Sequence, residues 1–243
     1  MPDLLALIYA LLVAVGWPLY DYFIDWPRFL RDLQKDLHGA RRREYLSAIL
    51  LEWLLAVVAQ SLWLRANPSW PAPALHLPSG WRLWAAAGFL LLLVGVESLN
   101  ILKASRSERT RAYIRAHMTQ AQPLLPVTTE ELVGFLGLSV TAGLCEEFLF
   151  RGYLIWALAP YLGWWGAAAF SLLSFGVVHA YQGRKGVIQA TIFGALLTLI
   201  VAVTGSLVPA MIFHGVLDAG SGVMAWISLR EPHAPLANSL PQG

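Results

Sequence analysis

Residues 134–158 read GFLGLSVTAGLCEEFLFRGYLIWAL, a long apolar run that Glu146, Glu147 and Arg151 interrupt from its middle onward. As an α-helix, the run is long enough to cross the ~30 Å hydrocarbon core of a bilayer. Charged side chains at that depth are unfavourable by at least a few kcal/mol, so they normally face a cavity and serve a transport pathway or a reaction. The run therefore predicts a membrane-spanning helix that carries a functional site.

The whole chain has the composition of a multi-pass membrane protein. Of its 243 residues, 57% are hydrophobic and only 13% are charged, whereas soluble domains contain roughly 25% charged residues. Further apolar runs occupy residues 4–20, 45–64, 81–102, 164–181, 187–203 and 207–229. We predict an all-α membrane helix bundle of about seven transmembrane helices. A single cysteine, Cys145, excludes an internal disulfide framework and a multi-cysteine metal site.

Basic residues predict the orientation of the bundle. They concentrate between the first two runs, at residues 28–43, and after the third run, at residues 103–115. By the positive-inside rule both segments are cytoplasmic, which places the N-terminus outside and the C-terminus in the cytoplasm. Each segment is either a solvated connector or an amphipathic helix on the membrane surface. Because the net charge is only +2 and the basic residues lie in loops, nucleic acid is not an expected partner.

Six ionisable side chains lie well inside the apolar runs: Glu146, Glu147, Arg151, His179, His214 and Asp218. The pair Glu147 and Arg151 is spaced i, i+4, which favours an ion pair on one helix face. Glu146 is turned about 100° away from Glu147 and is free for another role. Glu52 and Glu97 lie near predicted cytoplasmic helix ends, where they are expected to snorkel or cap.

These residue types suit hydrolysis of an amide bond. A carboxylate can take a proton from water, a histidine can orient that water or protonate the leaving amine, and further donors can stabilise the oxyanion. His214 and Asp218 share one helix face because they are also spaced i, i+4. His179 lies four residues after Phe175 on the same face of its helix. We predict that one cavity collects these groups.

Three segments resemble the signature motifs of a known family. They are EEFLFR at residues 146–151, FGVVH at residues 175–179 and HGVLD at residues 214–218. In order and spacing they are similar to the motifs of the CPBP family, which comprises the type II CAAX prenyl endopeptidases and bacterial relatives linked to bacteriocin processing and immunity. The resemblance covers about residues 130–229.

The resemblance implies an intramembrane endopeptidase that cleaves a membrane-associated peptide or protein substrate. Glu146 would activate water together with His179, while His214 and Asp218 would lie on the oxyanion side. Glu147, Arg151 and Phe175 would support the site. It also implies a multi-pass protein of the cell membrane, the inner membrane in a bacterium, with the active site toward the cytoplasmic half.

The predicted organisation has three parts. Residues 1–129 form N-terminal membrane helices and cytoplasmic loops, and residues 130–229 form the CPBP-like catalytic core. Residues 230–243 contain Pro232, Pro235 and Pro241, a composition typical of a disordered tail.

Alternatives remain at the level of mechanism and of function. Family members are described both as metalloproteases and as metal-independent glutamate proteases, and His179, His214 and a carboxylate would suit a catalytic zinc ion. The sequence lacks His-Glu-x-x-His spacing. Prenyl-protein enzymes typically carry Asn in place of Asp218, so this acid is protonated, orients His214 or binds a metal. A catalytically inactive membrane immunity or binding protein, or a proton-coupled transporter, is the alternative function.

Overall fold

The computed structural model describes residues 2–66, 74–118 and 120–230 of the chain. Within these ranges the chain is almost entirely helical and has no strand, as predicted. The longer helices are α1 (Leu4–Lys35), α2 (Leu37–Ala66), α3 (Trp81–Arg106), α4 (Glu108–Ala116), α5 (Thr129–Glu146), α6 (Ile155–Val178), α7 (Gly183–Thr204) and α8 (Leu207–Leu229). A π-helical segment, Glu147–Leu154, joins α5 to α6, and short 3₁₀ helices occupy Gln122–Leu124 and His179–Gln182. Of the predicted disordered tail, residues 231–243 lie outside the described residues.

The segment from residue 21 to residue 44 is helical rather than a loop. Helix α1 continues to Lys35, through a π-helical turn at Asp21–Asp25, and α2 begins at Leu37. Phe29 and Leu33 are buried together on one side of α1, so this is the amphipathic alternative. Only Asp36 is extended, and it accepts a hydrogen bond from the Gly39 amide (2.9 Å). That bond lowers the pKa of Asp36 and starts α2 in the manner of an N-cap.

Among the described residues, five helical stretches are long and apolar enough to cross a membrane: Leu4–Lys35, Leu37–Ala66, Trp81–Arg106, Thr129–Thr204 and Leu207–Leu229. The 76-residue stretch Thr129–Thr204 is far longer than one crossing requires. Gly163 (φ 67°) and Gly183 (φ 74°) interrupt it with backbone conformations that favour glycine. A total of seven spans follows only if this stretch crosses three times, so the count stays a prediction.

Hydrogen bonds and an ion pair join the connecting segments into two groups, one at each end of the bundle. At one end, three hydrogen bonds join connecting segments and helix ends: Arg41 Nε to Pro123 O (2.7 Å), Lys185 Nζ to His117 O (2.7 Å) and Arg115 Nη1 to Ser228 O (2.8 Å). At the other end, Arg65 pairs with Asp3 (3.1 Å) and Leu207 N donates to Ala74 O (2.9 Å). Which end faces the cytoplasm stays a prediction.

Helix α5 packs against both α2 and α8 in the centre of the fold. A β-carbon on Gly143 would lie 2.8 Å from both the Gly215 nitrogen and the Met211 carbonyl oxygen. Only glycine permits this close approach of the α5 and α8 backbones, as at many membrane helix crossings. The crossing brings Glu146, three residues after Gly143, beside His214, which precedes Gly215.

Candidate active site

A cavity of about 360 Å³ lies between α1, α2, α5, α8 and the 3₁₀ turn that follows α6. Four of the residues predicted from the sequence line it: Glu146, His179, His214 and Asp218. Glu146 ends α5, His179 follows α6, and His214 and Asp218 lie on α8. The crossing of α5 and α8 brings Glu146 close to His214. The predicted supporting residues Glu147, Arg151 and Phe175 do not line this cavity but lie buried beside it.

Glu147 is fully buried, and one of its oxygens accepts hydrogen bonds from both Arg151 and His214. Its Oε1 accepts a hydrogen bond from Arg151 Nη1 (2.9 Å) and lies 2.9 Å from His214 Nδ1. Because a carboxylate that pairs with an arginine only accepts, Nδ1 of His214 carries the hydrogen and donates it. The other oxygen, Oε2, has no hydrogen-bond partner. Glu147 therefore fixes the orientation of the His214 ring.

Arg151 anchors this pair to α7 and to α6. Its Nη2 donates to the Gly194 carbonyl (3.0 Å), and its Nε donates to Thr198 Oγ1 (3.4 Å). The guanidinium also lies 4.1 Å from the centre of the Phe175 ring, a cation–π contact. Because every side of the buried guanidinium has a partner, the Arg151–Glu147 pair is held in one geometry.

The second ring nitrogen of His214 faces two carboxylates at the cavity wall. Nε2 lies 3.9 Å from Glu146 Oε2 and 3.6 Å from Asp218 Oδ2. Glu146 is buried and its Oε2 lacks a hydrogen-bond partner, whereas the Asp218 side chain is 40% exposed. A buried oxygen without a partner is unfavourable unless water or a ligand meets it. The cavity is where that partner would enter.

His179 presents one nitrogen to the protein and leaves the other for the cavity. Its Nδ1 donates to the Phe175 carbonyl (2.8 Å), and its ring contacts those of Phe175 and Tyr181. In the neutral ring Nε2 is then an acceptor. The 3₁₀ turn prolongs α6 beyond Val178 and holds His179 in this position.

Comparison with known proteins identifies the part of the chain that contains this site. Residues 128–220 match a family model described as Type II CAAX prenyl endopeptidase Rce1-like. The predicted resemblance is confirmed over this segment, which contains all of the predicted site residues. The family is one of proteases, which supports proteolysis as the activity. No curated protein and no solved structure matches the chain.

A catalytic zinc ion would need three protein ligands around one point. Across residues 2–66, 74–118 and 120–230, no group of three or more His, Cys, Asp or Glu side chains is arranged to hold a metal ion. His214 and His179 each donate from Nδ1 within the protein, which leaves Nε2 as the nitrogen that a metal would use. These nitrogens and a carboxylate do not come together as a three-ligand group in the described residues. In this arrangement His179, His214 and a carboxylate do not fit a metal site.

Four further carboxylates line the cavity, and all lie outside the Rce1-like segment: Asp21, Asp25, Glu44 and Glu52. The sequence placed the first three between the first two apolar runs, as part of a connector or an amphipathic helix, and predicted that Glu52 snorkels or caps a helix. Glu52 is instead 5% exposed, and its Oε2 has no hydrogen-bond partner. A signal was available, since Glu44, Ala48 and Glu52 follow i, i+4, i+8 spacing along one helix face. The charges of residues 21–44 left open whether this segment is a solvated connector or an amphipathic helix.

Proposed function

We propose that this protein is an intramembrane endopeptidase that hydrolyses a peptide bond in a membrane-associated protein or peptide. The observation that carries the proposal is the convergence of Glu146, His179, His214 and Asp218 on one cavity of the Rce1-like segment. The cavity opens, on this proposal, toward the cytoplasmic side of a cell membrane. Substrates of the CAAX type, leader peptides and C-terminal signals are the candidate classes.

In this mechanism Glu146 is the general base. Its carboxylate, which lines the cavity, takes a proton from a water molecule that His179 Nε2 helps to orient, and the resulting hydroxide attacks the carbonyl carbon of the substrate. A tetrahedral intermediate forms and its C–N bond then breaks. The abstracted proton passes to the leaving amine, so that the products are a new carboxyl terminus and a new amine.

His214 is the oxyanion donor in this mechanism. Because Nδ1 is committed to Glu147, only the protonated ring can donate from Nε2 toward the cavity. An ionised Asp218 would repel an oxyanion, but at 3.6 Å from Nε2 it is placed to orient His214 instead. Arg151 and Glu147 act through His214 as positioning residues.

A cleavage assay tests the proposal. Purified protein in nanodiscs is mixed with a library of lipid-tethered fluorogenic peptides, and wild type is compared with Glu146→Gln and His179→Ala. Removal of a general base should lower the cleavage rate about 10²–10⁴-fold. Glu130→Gln is the matched control, because Glu130 is an exposed carboxylate at the start of α5. It should cleave at the wild-type rate.

Two results would contradict the mechanism. Wild-type cleavage by Glu146→Gln would remove the proposed base. Loss of cleavage with a strong zinc chelator, followed by recovery with added zinc, would replace the water-activation scheme by a metal-dependent one.

A proton-coupled transporter is the second candidate, because it requires polar residues on several helices. The carboxylates of α1 and α2 that line the cavity meet this requirement. Transport driven by a pH gradient in proteoliposomes, lost in Glu52→Gln, with no cleavage of any peptide, would favour this candidate.

A further inference from the structure

One wall of the cavity consists of carboxylates from the N-terminal helices. We call Asp21, Asp25, Glu44 and Glu52 the acidic wall. Glu146 and Asp218 add two further carboxylates, and no Lys or Arg is among the described residues that line the cavity. Arg28, one turn beyond Asp25, is exposed and does not line it, although its charge acts on Glu44. The acidic wall thus faces the cavity without a basic side chain within it.

Two carboxyl groups of the wall, those of Glu52 and Asp21, each have a buried oxygen without a hydrogen-bond partner among the described residues. Glu52 is 5% exposed, it lines the cavity, and its Oε2 has no hydrogen-bond partner. The Oδ2 atom of Asp21 is also buried without a partner. A buried carboxylate is unfavourable unless a charge or a hydrogen-bond donor meets it. Because Glu52 and Asp21 both line the cavity, a cationic ligand that enters it can supply the missing partner.

Aromatic rings beside the wall indicate what kind of cation fits. Trp17, Trp26 and Tyr181 line the same cavity, and the Trp26 and Tyr181 rings lie 5.0 Å apart. Aromatic faces bind the apolar stem of a long basic side chain and attract its charged end. By contrast, the described carboxylates do not form a group that could hold a metal ion. The wall is therefore better suited to an organic cation than to an inorganic one.

We propose that the acidic wall is a specificity subsite that binds a lysine or arginine side chain of the substrate near the scissile bond. The proposal rests on the proposed endopeptidase function. Because the wall and Glu146 line one cavity, a peptide bound at the catalytic residues places a neighbouring side chain against α1 and α2. Substrate selection then lies outside the Rce1-like segment, in the N-terminal helices.

The test uses lipid-tethered peptides that differ at one position. Arginine is compared with citrulline, its neutral isostere, at each position around the cleavage site. Both kcat/KM for wild type and binding to the Glu146→Gln variant are measured, in nanodiscs of phosphatidylglycerol, which has no cationic headgroup. At one or more positions the arginine peptide should be preferred in both measurements.

Two variants locate the preference on the wall. Asp25→Asn/Glu44→Gln should lower the arginine-to-citrulline ratio about tenfold, the loss expected for one charge-assisted hydrogen bond. Glu52→Gln should lower the same ratio in the binding measurement. Asp32→Asn is the matched control, because Asp32 lies on α1, pairs with Lys35 (3.6 Å) and does not line the cavity. It should keep the wild-type ratio.

Each outcome separates the subsite from the catalytic proposal. Equal binding of arginine and citrulline peptides at every position would overturn the subsite, even if cleavage occurs. A preference that phosphatidylethanolamine abolishes would assign the wall to a lipid amine and would also overturn it. Preferential binding of arginine peptides without any cleavage would support the subsite and contradict the proposed protease.

Discussion

Two clusters of one arginine, one glutamate and one histidine lie in different parts of this fold. The inner cluster is Arg151, Glu147 and His214, beside the cavity. The outer cluster is Arg41, Glu131 and His38, between α2 and the start of α5. In the inner cluster Glu147 Oε1 meets Arg151 Nη1 and His214 Nδ1, both at 2.9 Å. In the outer cluster Glu131 Oε1 meets Arg41 Nη1 at 3.4 Å and His38 Nδ1 at 2.7 Å.

The clusters differ in what the remaining atoms do. The second oxygen of Glu131 accepts hydrogen bonds from the Val127 and Thr128 amides (2.8 and 3.1 Å), which completes the capping box that starts α5. The second oxygen of Glu147 has no partner.

The two histidines also differ, both in exposure and in what their second ring nitrogen faces. The His38 side chain is 54% exposed, whereas that of His214 is 4% exposed and turns Nε2 toward Glu146 and Asp218. The outer cluster therefore caps the N-terminus of α5, whereas the inner cluster leaves His214 Nε2 available in the cavity. The same three residue types thus form a structural contact in one place and orient a candidate catalytic side chain in the other.

The largest effect should follow removal of each arginine. Arg151→Met leaves the fully buried Glu147 with His214 as its only hydrogen-bond partner, and loss of one partner from a buried ion pair costs about 3–5 kcal/mol. Arg41→Met should cost less, about 1–3 kcal/mol, because Glu131 keeps two backbone donors and His38. Reversible unfolding in mixed micelles, followed by tryptophan fluorescence, measures both values. Equal losses would show that the backbone donors do not compensate.

The histidines should differ in activity rather than in stability. His214→Ala removes the proposed oxyanion donor and should lower kcat about 10²–10³-fold, the range for loss of one such group. His38→Ala removes a half-exposed ring that does not line the cavity, and the variant should cleave at the wild-type rate. The peptide assay compares the two. If His38→Ala lost as much activity as His214→Ala, the division between a structural and a catalytic cluster would be wrong.

The sequence predicted the inner cluster far better than the outer one. Glu147 and Arg151 are four residues apart, and the three family motifs placed them with His214. By contrast, Arg41 and Glu131 are 90 residues apart, and nothing local to either residue indicates that α2 packs beside the start of α5. The apolar runs predicted that helices form, but they did not predict where α1 ends. The helix continues from the apolar run through charged residues to Lys35. Only tertiary packing brings the acidic wall of α1 and α2 to the cavity.

Helix α4 carries a third carboxylate with two cationic partners, and this carboxylate, Glu108, is exposed. Glu108 accepts hydrogen bonds from Arg115 and from Arg111 Nε (2.8 Å), and these bonds lower the pKa of Glu108 below its ordinary value of 4.5. Solvent and salt screen such pairs, so Glu108→Gln should shift the unfolding midpoint less than either arginine variant does.

The pH dependence of the Glu108 contribution has a definite sign. A carboxyl whose pKa is lower in the folded than in the unfolded chain stabilises the fold above the unfolded pKa, and it loses this effect as pH falls through the folded pKa. The difference in melting temperature between wild type and Glu108→Gln should therefore be constant from pH 7 to about 5, near the ordinary carboxyl range, and shrink below it. A thermal unfolding series over pH measures this difference. If it grew as the pH fell, Glu108 would be bound through its protonated form, and the two arginines would not be its stabilising partners.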